Sequence, residues 1–405
     1  MLLSLSVSGA TSIQANSEPV DLRIMYYHGA LSETTIQNAI EQFPDYNLDF
    51  QQVPADDNYD MQLRTSLNSD SAADIVAVND NIQDFKPYYD RFVNLLDYGT
   101  GELESTQVEW KWDSTLADDG NYQMALPLDI GPTAMFYHVG NFEQAGLPTD
   151  PDEVTELINS PEAYMEAAKQ MKEQADIPMF QSGVAVFSEQ YQQMTERIYD
   201  EEGNLTFANG QLREVWDFTV EAIQNEYTLG VVANSADGVN TTAMGLFGSK
   251  IQASWGIADL TDSGANQGEW QVAGNPGNAA NQGGSYLAVL NTTNHPAEAT
   301  EVIMYLTGEE SQRINYVEQG LFPTITTILE DETFADSTSE IFGEQKYNKY
   351  FIESANSLEY IELDPRETGA RRYFEDQIKL IEEQGKDPEQ AWNDAVNQVE
   401  IYSEG

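Results

Sequence analysis

LRIMYYHG at residues 22–29 opens a stretch that closes with AADIVAVNDN at residues 72–81. Residues 22–27 are an apolar extended segment. After His28 and Gly29, Ile36, Ala39, Ile40 and Phe43 recur at i, i+3, i+4 and i+7, which is one face of a helix. Ser32 is placed to cap that helix and Pro44 to stop it. Residues 48–53 read as a second strand, 60–67 as a helix, and 74–78 as a third, buried strand. This alternation predicts a parallel sheet with helices on both faces. In such sheets ligands sit beyond the carboxyl ends of the strands. That rule points to Tyr27, His28 and Gly29, and to Asn79, Asp80 and Asn81.

Further along, Asp119, Gly120 and Asn121 signal a turn before an extended segment at 122–128. The Pro- and Gly-marked run LPLDIGP at 126–132 then leads into TAMFY at 133–137 and reads as a crossover between two lobes. Ser160 and Pro161 start a helix whose inner face is Tyr164, Ala167, Ala168 and Met171. Leu212, Val215, Trp216, Thr219 and Ile223 mark another. Residues 263–284 are rich in Gly, Asn and Gln and read as a loop region with one short strand near 270–272. A strand at 285–290 precedes a helix opened by Pro296, with Ala299, Val302, Ile303 and Leu306 inward. Gly320 ends the next helix, with Leu321 folding back on it. From Phe351 onward the chain is expected to be mostly helical, and no internal repeat is present.

The chain has 405 residues and a formal net charge of −51, from 69 acidic against 18 basic residues. That length favours two cores over one. With 40% hydrophobic and 11% aromatic residues, it is a folded protein and not an acidic tail. Phosphate neutralisation needs clustered Lys and Arg, so nucleic acid is excluded as a partner. Anionic membrane surfaces are disfavoured. The absence of Cys excludes disulfides, thiolate metal sites, Cys nucleophiles and Fe–S clusters. His28, His138 and His295 are far apart and fit no metal or triad motif. An acid excess of this size must lie on the surface, where it repels itself at low salt and is screened at ~1 M, which suits saline surroundings.

Residues 1–16, MLLSLSVSGATSIQAN, are uncharged and too short to span a bilayer. They read as the later part of a secretion signal, with Ile13, Gln14 and Ala15 as a cleavage site. Val7, Ser8, Gly9 and Ala10 resemble a bacterial lipobox with Ala10 in place of the lipidated Cys, so no lipid anchor is expected there. Either reading places the mature protein extracellularly or in the periplasm, at the outer face of the cytoplasmic membrane.

Several segments, taken in order, resemble the family 1 extracellular solute-binding proteins of ABC importers. They are the 22–28 strand with its helix; Asp74-Ile75-Val76 with its polar loop; ALP at 125–127 through FYH at 136–138 and NFEQAGLP at 141–148; FGSKIQASW at 247–255; and GGS at 283–285 through PAEA at 296–299, Ser311-Gln312 and GLFP at 320–323. The chain departs from the family pattern at His138, where Asn is usual, at Ser249, which interrupts a Gly-Lys pair, and at Gln252, where an apolar residue is common. The resemblance implies an α/β, two-lobed periplasmic-binding-protein fold of type II, with crossover strands and a ligand cleft between the lobes. It implies a signal or tether remnant at 1–19, one lobe from 20–131 plus 285–323, and the other from 133–284 plus 324–405. It further implies a monomer that binds a carbohydrate and meets permease subunits of an ABC transporter, with no cofactor, no metal and no catalytic residues.

Sugars offer apolar ring faces to aromatics and hydroxyls to polar groups. Tyr27, Trp255, Tyr286 and Phe322 are the candidate platforms, each of which could instead pack in a core. His28, Asn79, Asp80, Asp129 and Arg372 are the candidate hydroxyl partners, and Gly131 marks the crossover. Asp80 and Asp129 equally suit turns or caps, and Arg371 with Arg372 equally suits structural ion pairs. Trp110 and Trp112 sit in a polar stretch and stay outside the candidate set. Two other readings remain: a binding protein for a non-sugar solute, either ferric ion held by Tyr26, Tyr27 and His28 or a phosphate ester, and a secreted glycoside hydrolase using paired carboxylates.

Overall fold

The computed structural model describes residues 20–404 apart from 55, 56, 68, 70–72, 201, 208, 209, 234 and 360. The signal and lipobox readings therefore lie outside the described residues. The chain forms β1 (Val20–Tyr27), β2 (Tyr46–Val53), β3 (Ile75–Val78), a short hairpin of β4 (Leu116–Ala117) and β5 (Tyr122–Gln123), β6 (Leu126–Pro127), β7 (Thr133–His138), β8 (Ser249–Ala253), β9 (Trp270–Ala273) and β10 (Tyr286–Val289). One sheet has the order β2-β1-β3-β10-β6 and another the order β8-β7-β9. In the first, β1 runs parallel to β2 and β3, while β10 is antiparallel to β3 and β6. In the second, β7 is antiparallel to both neighbours.

Side-chain chemistry accounts for these elements. All four residues of β3 are buried, as a strand covered on both faces requires. β2, at the sheet edge, alternates partly buried and exposed positions over most of its length. The helix Glu33–Gln42 begins where Ser32 Oγ accepts the Thr35 N–H at 3.1 Å. Its inner stripe is rotated from the apolar spacing: Thr35, Ala39 and Phe43 are buried, whereas Ile40 is 41% exposed. The cause is a polar anchor. Asn315 Oδ1 accepts from both the Ser32 N–H (3.1 Å) and the Thr35 hydroxyl (2.8 Å), which turns that side of the helix inward.

The helix Pro161–Ala175 buries Tyr164, Ala167, Ala168 and Met171 as its spacing predicts, with Ser160 as its cap. Gln211–Gln224 and Pro296–Leu306 likewise bury their apolar faces, and Gly320 closes Glu309–Gln319 at φ 72°. A helix at Gly256–Ser263 follows Trp255 directly and was not expected. The C-terminal part is helical at Asn348–Ser357, Glu367–Gln384 and Pro388–Glu404. Leu22, Ile75, Val289 and Leu306 share one core around the first sheet. Phe136, Trp270, Phe322 and Phe351 share another on the second.

The chain passes between the two sheets in adjacent segments. Leu128 N–H donates to Ser285 O at 2.9 Å, Ile130 N–H to Phe322 O at 2.9 Å, and Gln282 N–H to Gly131 O at 2.7 Å. These bonds tie 128–131, 282–285 and 322 together as the crossovers.

Candidate functional site

A cavity of about 1080 Å³ lies beside these crossovers. One wall is built from the first sheet. Tyr27 ends β1, Asn79 and Asp80 follow β3, and Tyr286 starts the antiparallel β10, so all four emerge at the same end of the sheet. The facing wall comes from Tyr191 to Arg197, from Gly274 to Asn281, and from Tyr350 to Arg372.

The first wall rests on a buried polar network. Tyr27 Oη donates to Ser285 Oγ at 2.6 Å. Ser285 gives both its hydroxyl and its backbone N–H (2.9 Å) to Asp129 Oδ1. Lys111 is fully buried, with Nζ 3.5 Å from the centroid of the Tyr286 ring. Burial lowers the Lys111 amine to about 7 against the attraction of Asp129 and Asp80. Burial also raises both carboxyls, with Lys111 the main opposing charge in each case. Tyr59 packs edge-on to Tyr27 at 5.3 Å and donates its hydroxyl to Ala77 O at 2.7 Å, which holds both rings at the cavity.

On the second wall, Tyr191 has the guanidinium carbons of Arg197 and Arg371 each 5.6 Å from its ring centroid. Its hydroxyl is held by Glu367, which also accepts the Ile198 N–H at 2.8 Å. Several lining side chains carry buried polar atoms with no hydrogen-bond partner among the described residues: Asn81 Oδ1, Trp110 Nε1, Arg197 Nε, and both amide atoms of Gln193. Gln193 is only 6% exposed, so leaving its amide unsatisfied is costly unless a ligand completes it.

Tyr27, Asn79, Asp80, Tyr286 and Arg372 are therefore brought together at the cavity. The other sequence candidates are elsewhere. Asp129 is 1% exposed and lies beneath the wall, clamping Ser285. Gly131 is buried in the crossover, its N–H donated to Asn281 Oδ1 at 2.9 Å, so it offers a ligand no free donor. Trp255 is half-buried and outside the lining; its indole packs on the crossover backbone, where a Cβ on Gly131 would come within 2.6 Å of Cη2. Phe322 is fully buried among Phe334 and Phe351 and is a core residue, because its backbone pairs with Ile130 and turns the ring into the second core. His28 is exposed and outside the lining, since its backbone continues the β1–β2 pairing past the cavity edge. Tyr26 is buried against Phe50, so Tyr26, Tyr27 and His28 do not converge.

Trp110 lines the cavity while Trp112 is buried in the first core. Tyr59, Tyr191, Gln193, Arg197 and Tyr350 also line it and were missed. Arg197 left one usable signal, as one of nine arginines in a chain poor in bases. The others come from helices and loops whose facing depends on tertiary packing. Among the described residues there is no group of three or more His, Asp or Glu suited to a metal ion, and no helix long and apolar enough to cross a membrane.

The model of the bacterial extracellular solute-binding proteins matches residues 29–313. No curated protein matches the chain. A crystal structure of an extracellular solute-binding protein of family 1 is similar at a TM-score of 0.88 and 26% identity, covering 95% of this chain and 100% of that one. The ABC transporter associated binding protein from B. animalis subsp. lactis Bl-04, solved with beta-1,6-galactobiose, is similar at 0.73 and 21%, covering 95% and 97%. The sugar-binding protein MalE of Xanthomonas citri is similar at 0.77 and 14%, covering 95% and 97%. The architecture is thus the two-lobed mixed α/β fold of the MalE-like periplasmic binding proteins, and the chain belongs to the family 1 bacterial extracellular solute-binding proteins.

Proposed function

We propose that the protein captures a carbohydrate in this cavity and delivers it to the permease subunits of an ABC importer at the outer face of the cytoplasmic membrane. The supporting observation is the pairing of aromatic rings with buried, unsatisfied polar atoms around one space: Tyr27, Trp110, Tyr191 and Tyr286 beside Asn81 and Gln193. A pyranose presents apolar faces for the rings and hydroxyls, each a donor and an acceptor, for the amides. The similar structures solved with beta-1,6-galactobiose and named as sugar-binding favour the same reading. In this proposal the lobes are 20–131 with 285–323 and 133–284 with 324–405, and the protein works as a monomer without catalytic chemistry.

The test is a melting-temperature screen against mono- and oligosaccharides in molar NaCl, followed by calorimetry on each hit. A ligand that binds only the folded state raises the melting temperature. Trp110→Ala should weaken binding by roughly 1–3 kcal/mol with little change in ligand-free melting. Trp112→Ala, a core truncation, should destabilise by roughly 3–5 kcal/mol. Full affinity in a folded Trp110→Ala variant would remove that ring from the site. A broad panel without a single stabilising sugar would defeat the proposal.

A further inference from the structure

Three of the chain's nine arginines line the cavity, beside seven acids. They are Arg197, Arg371 and Arg372, in a chain with only 18 basic residues against 69 acidic ones. Their commitments differ. Arg371 pairs with Glu375 at 3.0 Å. Arg197 uses Nη1 on Tyr191 O at 2.9 Å, but its buried Nε has no hydrogen-bond partner among the described residues. Arg372 is exposed toward the cavity and has no ion pair among the described residues, in a surface where an acid partner is the easiest thing to find.

Of the seven acids that share the lining, five face a partner, while Glu353 and Glu359 are exposed and have no ion pair among the described residues. Asp84 pairs with Arg64 at 3.0 Å and Asp364 with Arg366 at 2.6 Å. Glu367 holds Tyr191 and the Ile198 N–H, and Asp60 accepts from Asn81 Nδ2 at 2.9 Å. Asp80 faces Lys111 and Arg371. Spare guanidinium donors on one wall, beside a buried amide without partners, are a receptor for a planar anion attached to a hydroxylated ring.

We propose that the sugar taken by this cleft carries a carboxylate, as in oligosaccharides that contain uronic acid, with the carboxylate on Arg197 and Arg372 and the ring hydroxyls on Gln193 and Asn81. This deepens the carbohydrate reading and rests on it. A carboxylate suits the site better than a phosphate ester. Its single charge and planar fork match a guanidinium, whereas a second negative charge would add to those of Glu353 and Glu359, which line the cavity with no ion pair among the described residues.

The test is calorimetry in 1 M NaCl with di- to tetrasaccharides of galacturonate, glucuronate and mannuronate. Each is paired with its carboxyl-reduced neutral counterpart, and the matching sugar phosphates are added. At least one uronate should bind tenfold or more tightly than its neutral counterpart. Arg372→Gln should lower affinity for the uronate at least tenfold more than affinity for its neutral counterpart, with the ligand-free melting temperature unchanged. Arg197→Gln provides a second, independent variant. Neutral counterparts that bind as well as the uronates, or sugar phosphates that bind better, would overturn the carboxylate while leaving carbohydrate capture standing. Failure of every acidic and neutral sugar with folded protein would overturn both.

Discussion

Lys111 shows how much one side chain can carry here. It sits under a cavity ring, between two carboxylates, with no exposed surface. Its amine is lowered to about 7 in the folded protein against about 10.4 for a free lysine. The unfolded chain therefore binds more protons across that interval, and stability should rise with pH from about 7 to about 10. The full effect is on the order of 3–5 kcal/mol. Two other buried groups share the range. Glu189, raised to about 8 by burial, has the opposite sign and acts below pH 8. Lys250, lowered to about 8 by burial, has the same sign as Lys111. The comparison that isolates Lys111 is the slope of melting temperature against pH between 8 and 10 in the parent and in Lys111→Met. The parent should climb more steeply. Equal slopes would mean that Lys111 is charged in the fold, whatever the variant's overall stability.

At the scale of elements, the crossovers are the most constrained part of the chain. A Cβ on Gly131 would meet Gln282 O at 1.9 Å as well as Trp255 Cη2 at 2.6 Å. The first clash is with backbone and cannot be relieved by a rotamer change. Gly131→Ala should therefore separate 128–131 from 282–285 and lower stability by roughly 3 kcal/mol or more. Adding Trp255→Ala should not restore it, and recovery of the parent melting temperature in that double variant would contradict this account. The same elements show what the sequence could reveal. Strand and helix identity was legible wherever period and caps agreed, as at β1, β3 and the Ser160-capped helix, because local rules act there without help. The rotation of Glu33–Gln42 was not legible, since it depends on Asn315, which lies 283 residues beyond Ser32. The first-sheet half of the site was legible from one topological rule, which found Tyr27, Asn79 and Asp80. The half built from Tyr191, Gln193 and Arg197 was not, because nothing in their local sequence says which side of a packed helix end meets the cavity. Trp255 and Phe322 were misplaced for a related reason: an aromatic at a strand end suits a cleft and a crossover equally well.

For the whole molecule, two properties follow from architecture and charge. The two-lobed architecture offers hinge closure over the cavity. Saturating ligand should reduce the radius of gyration in small-angle scattering, and an unchanged profile with binding confirmed by calorimetry would argue against closure. The second property is the net charge of −51. With 69 acids and 18 bases, one-to-one pairing leaves most carboxylates without a cation. Many existing pairs are also exposed, such as Lys346–Asp336 at 2.5 Å and Lys169–Glu166 at 3.4 Å, and pairs of that kind contribute little. The folded state therefore concentrates negative charge that the unfolded chain would spread out. At 0.1 M salt the Debye length is about 10 Å, so surface acids several residues apart still repel; at 1 M it is about 3 Å and that repulsion is largely gone. The melting temperature should therefore climb steadily from 0.1 to 1 M NaCl and follow ionic strength when KCl replaces NaCl. A flat or falling titration would show that local pairing and packing already offset the excess, and that the acidic surface makes no demand on its surroundings.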